Sequence, residues 1–338
     1  AWERAPARER RRRPGGDSLP PAMSALQSAS SIAHECLNSG EIDRAAQALD
    51  DPELRSGLQG LSQRSRAGYW RYVARIQTRR QARPEALAAL EALSECETDR
   101  GELLFDQATL RCMLGLRGHE SAREWIGKAE AFITSRRDAP FSGTPFFRSH
   151  AAIYLNRRGD PEGARRLVEP SVSDSRLGDG FPHIFGRCQL AMSEVIRLSG
   201  EGDLARARGL AREAVDRYRR VSYEGALADF GLVQLAKIEA QDNRPGRALQ
   251  LLEEARDIQL RLHNPSLLRT VFLTARIDQG LTPARRIALR REAEVIISDR
   301  SGFLQCPLAR EIVYHWDAWC AGEPEQNSPG EPDFFWGV

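Results

Sequence analysis

The sequence predicts an all-α protein, in which about seven antiparallel helical hairpins stack into a solenoid closed by a C-terminal capping helix. Three observations predict it. Ala, Leu and Arg are abundant while aromatics make up 7% of the 338 residues, and those three side chains lose little freedom in a helix. Prolines separate amphipathic stretches of roughly 12–18 residues whose apolar positions recur at intervals of three and four. Finally, an alanine recurs just inside successive helices, at Ala45, Ala86, Ala122, Ala164, Ala207, Ala248 and Ala284, with spacings of 41, 36, 42, 43, 41 and 36. Alternating strand patterns are nearly absent, and no Asn-Gly hairpin turn occurs.

Residues 1–22, with six Arg against three acids, are expected to form a disordered extension, with Met23 directly after it. A targeting or nucleic-acid role for Arg10–Arg13 is the weaker expectation for this segment. The helical-repeat domain is expected over 23–298. Each unit reads as a helix, a Gly, Asp, Asn or Pro corner, and a second helix. The second helix carries the recurrent alanine, then an apolar residue four on: Leu49, Leu90, Ile126, Val168, Ala211, Leu252 and Ala288. In several units another follows three later, as at Leu93, Ala129, Ala214 and Ala255. One such hairpin cannot bury its apolar faces alone, so neighbours must stack. Proline is accepted in the first turn of a helix but costs about 3 kcal/mol inside one.

The first helices carry a pattern of their own. Trp70-x-x-Val73-Ala74-x-x-Gln77 precedes Ala86-x-x-x-Leu90; Leu232-x-x-Leu235-Ala236 precedes Ala248-x-x-x-Leu252; Ala29-x-x-Ile32-Ala33 precedes Ala45-x-x-x-Leu49. These units resemble tetratricopeptide repeats over about residues 24–298. The units beginning near 100, 145, 183 and 265 keep the second-helix Ala but lose the clean first-helix pattern. The spacing of about 40 exceeds the usual ~34 and resembles the longer repeats in sensor regions of large bacterial transcription activators. Looser helical-hairpin repeats are the alternative.

The resemblance implies a right-handed superhelix whose first helices line a concave groove. The inward positions it implies are Arg71 and Arg75, Val233 and Lys237, then Gln107 and Arg111, Ser149 and Ile153, with Asn156 one turn beyond. Arginines there could grip carboxylates through two bonds, which favours an acidic peptide or a chain terminus as partner. The competing expectation at each position is an ordinary solvated face.

Gly200-Glu-Gly202-x-x-Ala205 matches a dinucleotide-binding fingerprint in spacing. Such a loop must follow a buried strand, whereas residues 184–199 read as a helix. The stretch is therefore expected to be a hairpin corner, with Gly200 in the left-handed position after a helix and Asp203 capping the next. His34-Glu35-Cys36 lacks the second His of a metalloprotease box. The six histidines fall on different hairpins, and carboxylate pairs such as Glu253-Glu254 read as solvated surface. No catalytic residue, metal site or cofactor is expected.

The six cysteines, at 36, 96, 112, 188, 306 and 320, form no C-x-x-C pair and are expected as buried reduced thiols, which implies a cytoplasmic setting. No apolar run approaches the ~20 residues of a membrane span. The formal net charge is +2, and the Arg-rich extension accounts for more than all of it. A near-neutral body argues against direct DNA binding by the fold.

Residues 299–320 are expected to form the capping region, with Ile312, Val313, Trp316 and Trp319 as its apolar set. Residues 321–338 read as an acidic linker and an aromatic tail. In that tail Phe334, Phe335, Trp336 and Val338 are candidates for docking, either on the solenoid itself or on a second protein. The leading functional expectation is a non-enzymatic adaptor that binds a protein or peptide along its concave face. A signal-sensing regulator acting with a separate transcription or sigma factor is the first rival, and an enzyme with an unrecognised site is the remote one.

Overall fold

The computed structural model describes residues 21–39, 42–79, 83–96, 101–114, 121–135, 143–199, 203–221, 227–261, 267–278, 280, 282–299 and 316. Seven helical hairpins are seen among them: α1 (Pro21–Ser39) with α2 (Ile42–Leu49), α4 (Gln63–Arg79) with α5 (Arg83–Ser94), and α6 (Gly101–Leu114) with α7 (Ser121–Ser135). They continue with α8 (Gly143–Arg157) and α9 (Pro161–Ser173), α11 (Pro182–Leu198) and α12 (Leu204–Val221), α13 (Ala228–Gln241) and α14 (Pro245–Arg261), and α15 (Leu267–Ile277) and α16 (Pro283–Asp299). Two short helices are inserted, α3 (Pro52–Gly57) between the first and second hairpins and α10 (Ser175–Gly180) between the fourth and fifth.

Local chemistry explains the helix starts. Pro52, Pro161, Pro182, Pro245 and Pro283 each open a helix, where a missing N–H removes no bond. Aspartates cap several of them: Asp51 accepts from Glu53 N at 2.8 Å, Asp160 from Gly163 N at 2.8 Å and Asp203 from Arg206 N at 2.9 Å. Two corners turn through a left-handed residue, Gly159 at φ 76° and Asn243 at φ 55°. At each, the next amide reaches back to close the preceding helix, Asp160 N to Leu155 O at 2.9 Å and Arg244 N to Glu239 O at 2.8 Å. Pro170, exposed inside α9, is an exception to the first-turn rule.

The recurrent alanine marks the helix contact in six units. Ala45, Ala86, Ala122, Ala164, Ala207 and Ala248 are all fully buried, and so are Ala129, Ala214 and Ala255 seven on. A side chain this small lets two helices approach closely. In the seventh unit the expected frame is wrong. Ala284 and Ala288 are exposed, and α16 buries Leu289, Ala293 and Ile296 instead. That set has the same four-then-three spacing, and Leu289 lies 41 residues after Ala248. The repeat therefore persists, with a leucine in the small position. Ile32, the larger apolar residue of the first-helix pattern in α1, is 39% exposed.

The first helices pack on one another in series, α1 on α4, α4 on α6, α6 on α8, α8 on α11 and α11 on α13. The outer helices α12, α14 and α16 reach one another through long side chains, Arg219 to Glu254 and Arg256 to Glu292. The first helices thus occupy the shorter, concave side. The largest apolar cluster runs from Phe105 to Leu273, and two smaller ones serve the first three hairpins. Trp316, from the expected capping region, is fully buried edge-on against Phe272 of α15. Among the described residues no helix is long and apolar enough to cross a membrane. Cys36, Cys96, Cys112 and Cys188 are buried and not disulfide-bonded, with Cys188 pushed up to about 12 by burial. Cys306 and Cys320 lie outside the described residues.

Candidate functional site

The later first helices, α8, α11, α13 and α15, are buried on most sides; in α13 every residue from 231 to 239 is buried. Many of their polar residues are therefore buried too. Among the described residues 18 polar or charged ones are buried, and all but Ser171 and Gln259 sit on first helices. Buried polar groups are generally hydrogen-bonded or paired, and several of these residues form networks that link one repeat to the next.

The densest network centres on Glu194 of α11, which is fully buried. Arg197 holds its carboxylate through two bonds, Nε to Oε2 at 2.8 Å and Nη2 to Oε1 at 3.0 Å. Gln234 of α13 donates to Oε2 at 2.9 Å. Lys237 Nζ of α13 and Arg157 Nη2 of α8 stand 3.8 and 3.9 Å from Oε1. Asn156 Nδ2 donates to the Glu194 backbone carbonyl at 3.4 Å. Burial alone would raise the Glu194 carboxyl, but Lys237, Arg197 and Arg157 together hold it well below the usual carboxylate range.

Two further networks flank this one. Arg208 of α12 pairs with buried Glu239 at 2.8 Å, with Arg212 and Arg244 within 3.8 and 3.6 Å of the same carboxylate. Asp229, at the start of α13, is fully buried and accepts from Gln259 Nε2 of α14 at 2.9 Å. Burial pushes its carboxyl up to about 7, against the opposing pull of Gln259 and Arg269.

The expected groove residues divide by repeat. Asn156 and Lys237 come together at Glu194. Arg71 pairs with Asp106 of α6. Gln107, next to Asp106, is buried and accepts from Ser94 Oγ at 3.1 Å. Arg111 is buried over the Trp125 ring, 4.9 Å from its centre, with Lys128 at 4.5 Å from the same centre. Burial lowers the Arg111 guanidinium, opposed by Glu91 and Glu124. Ser149 is fully buried and its hydroxyl donates to Phe146 O at 2.7 Å. Val233 and Ile153 are core residues, and Arg75 is half-buried. Phe334, Phe335, Trp336 and Val338 lie outside the described residues.

Sequence reasoning missed Glu194, Arg157, Arg197 and Gln234. A signal was present: Glu194 is the single acid in the apolar stretch of α11, and its partners lie one repeat away, Asn156 38 residues before and Gln234 40 after. The Gly200 corner falls between α11 and α12, which pack as a hairpin, and Asp203 caps α12 as expected. Residues 200–202 themselves lie outside the described set. No group of His, Cys, Asp and Glu among the described residues could hold a metal ion.

No family model matches the chain, and no curated protein matches it. Among solved structures the chain is similar to the apo form of RapI, with a TM-score of 0.51 and 14% identity, over 86% of this chain and 81% of that one. At that identity the likeness is one of fold, and the fold is an all-α helical repeat.

Proposed function

We propose that this helical-repeat chain is a non-enzymatic interaction protein whose concave face takes a protein or peptide segment. One observation carries this: buried polar side chains concentrate on the first helices, the side of the stack that a segment lying along the groove would meet. A purely structural core gains little from such residues, because apolar packing of the same volume is often as stable or more so. The half-buried Arg71 and Arg75 of α4 and the partly exposed Arg157 and Arg197 also sit on first helices and would line the same side. The likeness to RapI supports the proposal at the level of architecture, since that protein was solved as an apo form, a term for the unliganded state of a protein that binds something.

Hydrogen exchange tests it. The protein is purified from its source with whatever co-purifies, and amide protection is compared before and after the partner is stripped. The proposal expects loss of protection in α4, α6, α8, α11 and α13 and little change in α9, α12 and α14. Loss confined to the second helices would place the partner on the convex side and overturn it.

A further inference from the structure

In α7, α12, α14 and α16, surface cations pair with acids of their own helix. Lys128 meets Glu124, Arg219 meets Asp216, Arg256 meets Glu253 and Arg290 meets Glu294, each three or four residues away. Helix α4 departs from that arrangement. Over residues 63–79 it carries five arginines and no acid. Packing fixes its faces. Tyr69 and Ile76 belong to the apolar cluster of the first hairpin, and Ala67 and Ala74 to the cluster shared with α5 and Leu110 of α6. Trp70 and Val73 pack against both clusters and so turn toward α2 and α5. The remaining side, opposite Trp70 and Val73, is the concave one. It carries Arg64, Gly68, Arg71 and Arg75, which recur at four, three and four residues and share one face. Arg71 reaches Asp106 of α6, and among the described residues Asp106 is the one acid paired with this face. Arg64, exposed, and Arg75, half-buried, make no hydrogen bond or ion pair among the described residues. Arg71 and Arg75, four residues apart, repel each other along the helix. A Cβ added at Gly68 would meet nothing within 4 Å, so the helix backbone between Arg64 and Arg71 is open to the approach of a second chain.

We infer that this face of α4 docks an extended acidic segment of a partner protein, whose carboxylates two residues apart are held by Arg71 and Arg75. This rests on the proposed function of the concave face and names the chemistry of what binds there. Alternate side chains of an extended segment lie about 6.6 Å apart on one side. Residues four apart on a helix lie about 6 Å apart along its axis, so the two spacings match. A guanidinium fork takes a carboxylate through two bonds. Arg75 has its whole fork to offer. Arg71 has five donors and meets Asp106 at Nε, which leaves donors for a second carboxylate. Arg64, about 10 Å further along the helix, continues the positive line past the bare backbone at Gly68. A nucleic acid is the less suitable occupant, because a chain with a formal net charge of +2 lacks the broad positive field that a phosphate backbone calls for.

The test uses the full chain and two random decapeptide libraries, one with Glu-x-Glu at its centre and one with Gln-x-Gln. Neither has other acids, and both are blocked at their ends. Retained peptides are counted by mass spectrometry. The Glu library should be retained about tenfold better than the Gln library, and Arg71→Gln with Arg75→Gln should abolish that preference. Gln keeps the helix propensity of Arg, so the double variant should remain folded. Gly68→Leu fills the open space without changing charge. It should lower retention of the Glu library several-fold and leave the melting temperature no lower. Equal retention of the two libraries, or retention of neither, would overturn the acidic segment, while the hydrogen-exchange comparison still decides the concave-face proposal on its own. A Glu preference that survives the double substitution would place the site elsewhere and overturn it as well. Single-stranded oligothymidylate that binds more tightly than the Glu peptides, and loses that binding in the double variant, would assign the face to nucleic acid instead. Glu323-Pro-Glu325 and Glu331-Pro-Asp333 of this chain carry the same spacing of acids. Changing these acids to their amides should leave retention of the Glu library unchanged. A several-fold gain would show that the chain's own segment fills the face, and would overturn the assignment to a partner.

Discussion

Replacing Asp229 by Asn should stabilise the protein, and by more at pH 8 than at pH 5. Asp229 is fully buried where α13 meets α14, and burial raises its carboxyl from 3.8 to about 7. An acid whose folded value is raised favours folding fully only where both states bind the proton, below about pH 4. That stability is lost as pH rises toward the folded value. The rise of about 3 units corresponds to about 4 kcal/mol lost by pH 7 and above. At pH 5 only the interval above 3.8 counts, about 1.5 kcal/mol. Asn keeps the oxygen that accepts from Gln259 Nε2 and carries no charge to desolvate. The gain from Asp229→Asn should therefore be about 2.5–3 kcal/mol larger at pH 8 than at pH 5. Urea denaturation followed by helical circular dichroism at the two pH values reads this directly. An equal stability difference at both would show that Asp229 titrates in the ordinary acid range, and would refute the reasoning.

Further outcomes follow from the packing. A Cβ on Gly231 of α13 would lie 2.4 Å from Val215 Cγ2 of α12, whereas one on Gly209 of α12 meets nothing within 4 Å. Gly209→Ala should therefore raise stability by about 0.5–1 kcal/mol and Gly231→Ala should lower it by about 1–3 kcal/mol; thermal melts of the two variants check both signs. Leu289→Ala should destabilise by about 2–4 kcal/mol, while Ala288→Glu on the exposed side of the same helix should change little, within about 0.5 kcal/mol. The reverse order, read by urea midpoints, would restore the frame based on Ala284. Ala248→Leu should overpack the contact between α13 and α14 and cost about 1–3 kcal/mol, lowering the midpoint by an amount that a local rearrangement of α14 would not reproduce.

The architecture was legible because a steric demand left a periodic trace. Two helices of a hairpin can touch closely only where a side chain is small, so fully buried Ala45, Ala86, Ala122, Ala164, Ala207 and Ala248 recur at a nearly constant interval. The trace failed in α16, where alanine does not by itself signal burial. It is a strong helix former on any face, and exposed Ala284 and Ala288 imitate the packed spacing while Leu289 does the packing. The inserted α3 and α10 leave no periodic trace of their own, because helices of 6 residues carry too few turns for a period to show. Among the candidate groove residues, Asn156 and Lys237 were singled out by position in the repeat, but the buried acid that joins them was not. A lone acid in an apolar run has no spacing signature of its own. Its meaning lies in partners one repeat away, such as Arg157 and Gln234, which are brought together only by stacking.

On the proposed function, the concave face binds and the convex face does not. A photo-reactive benzoylphenylalanine placed at Arg75, half-buried on α4, or at Arg166, exposed on α9, tests it most directly in cells producing the protein. Irradiation should give a covalent adduct with a second protein or peptide from position 75 and none from position 166. An adduct from position 166 with none from position 75 would contradict the claim.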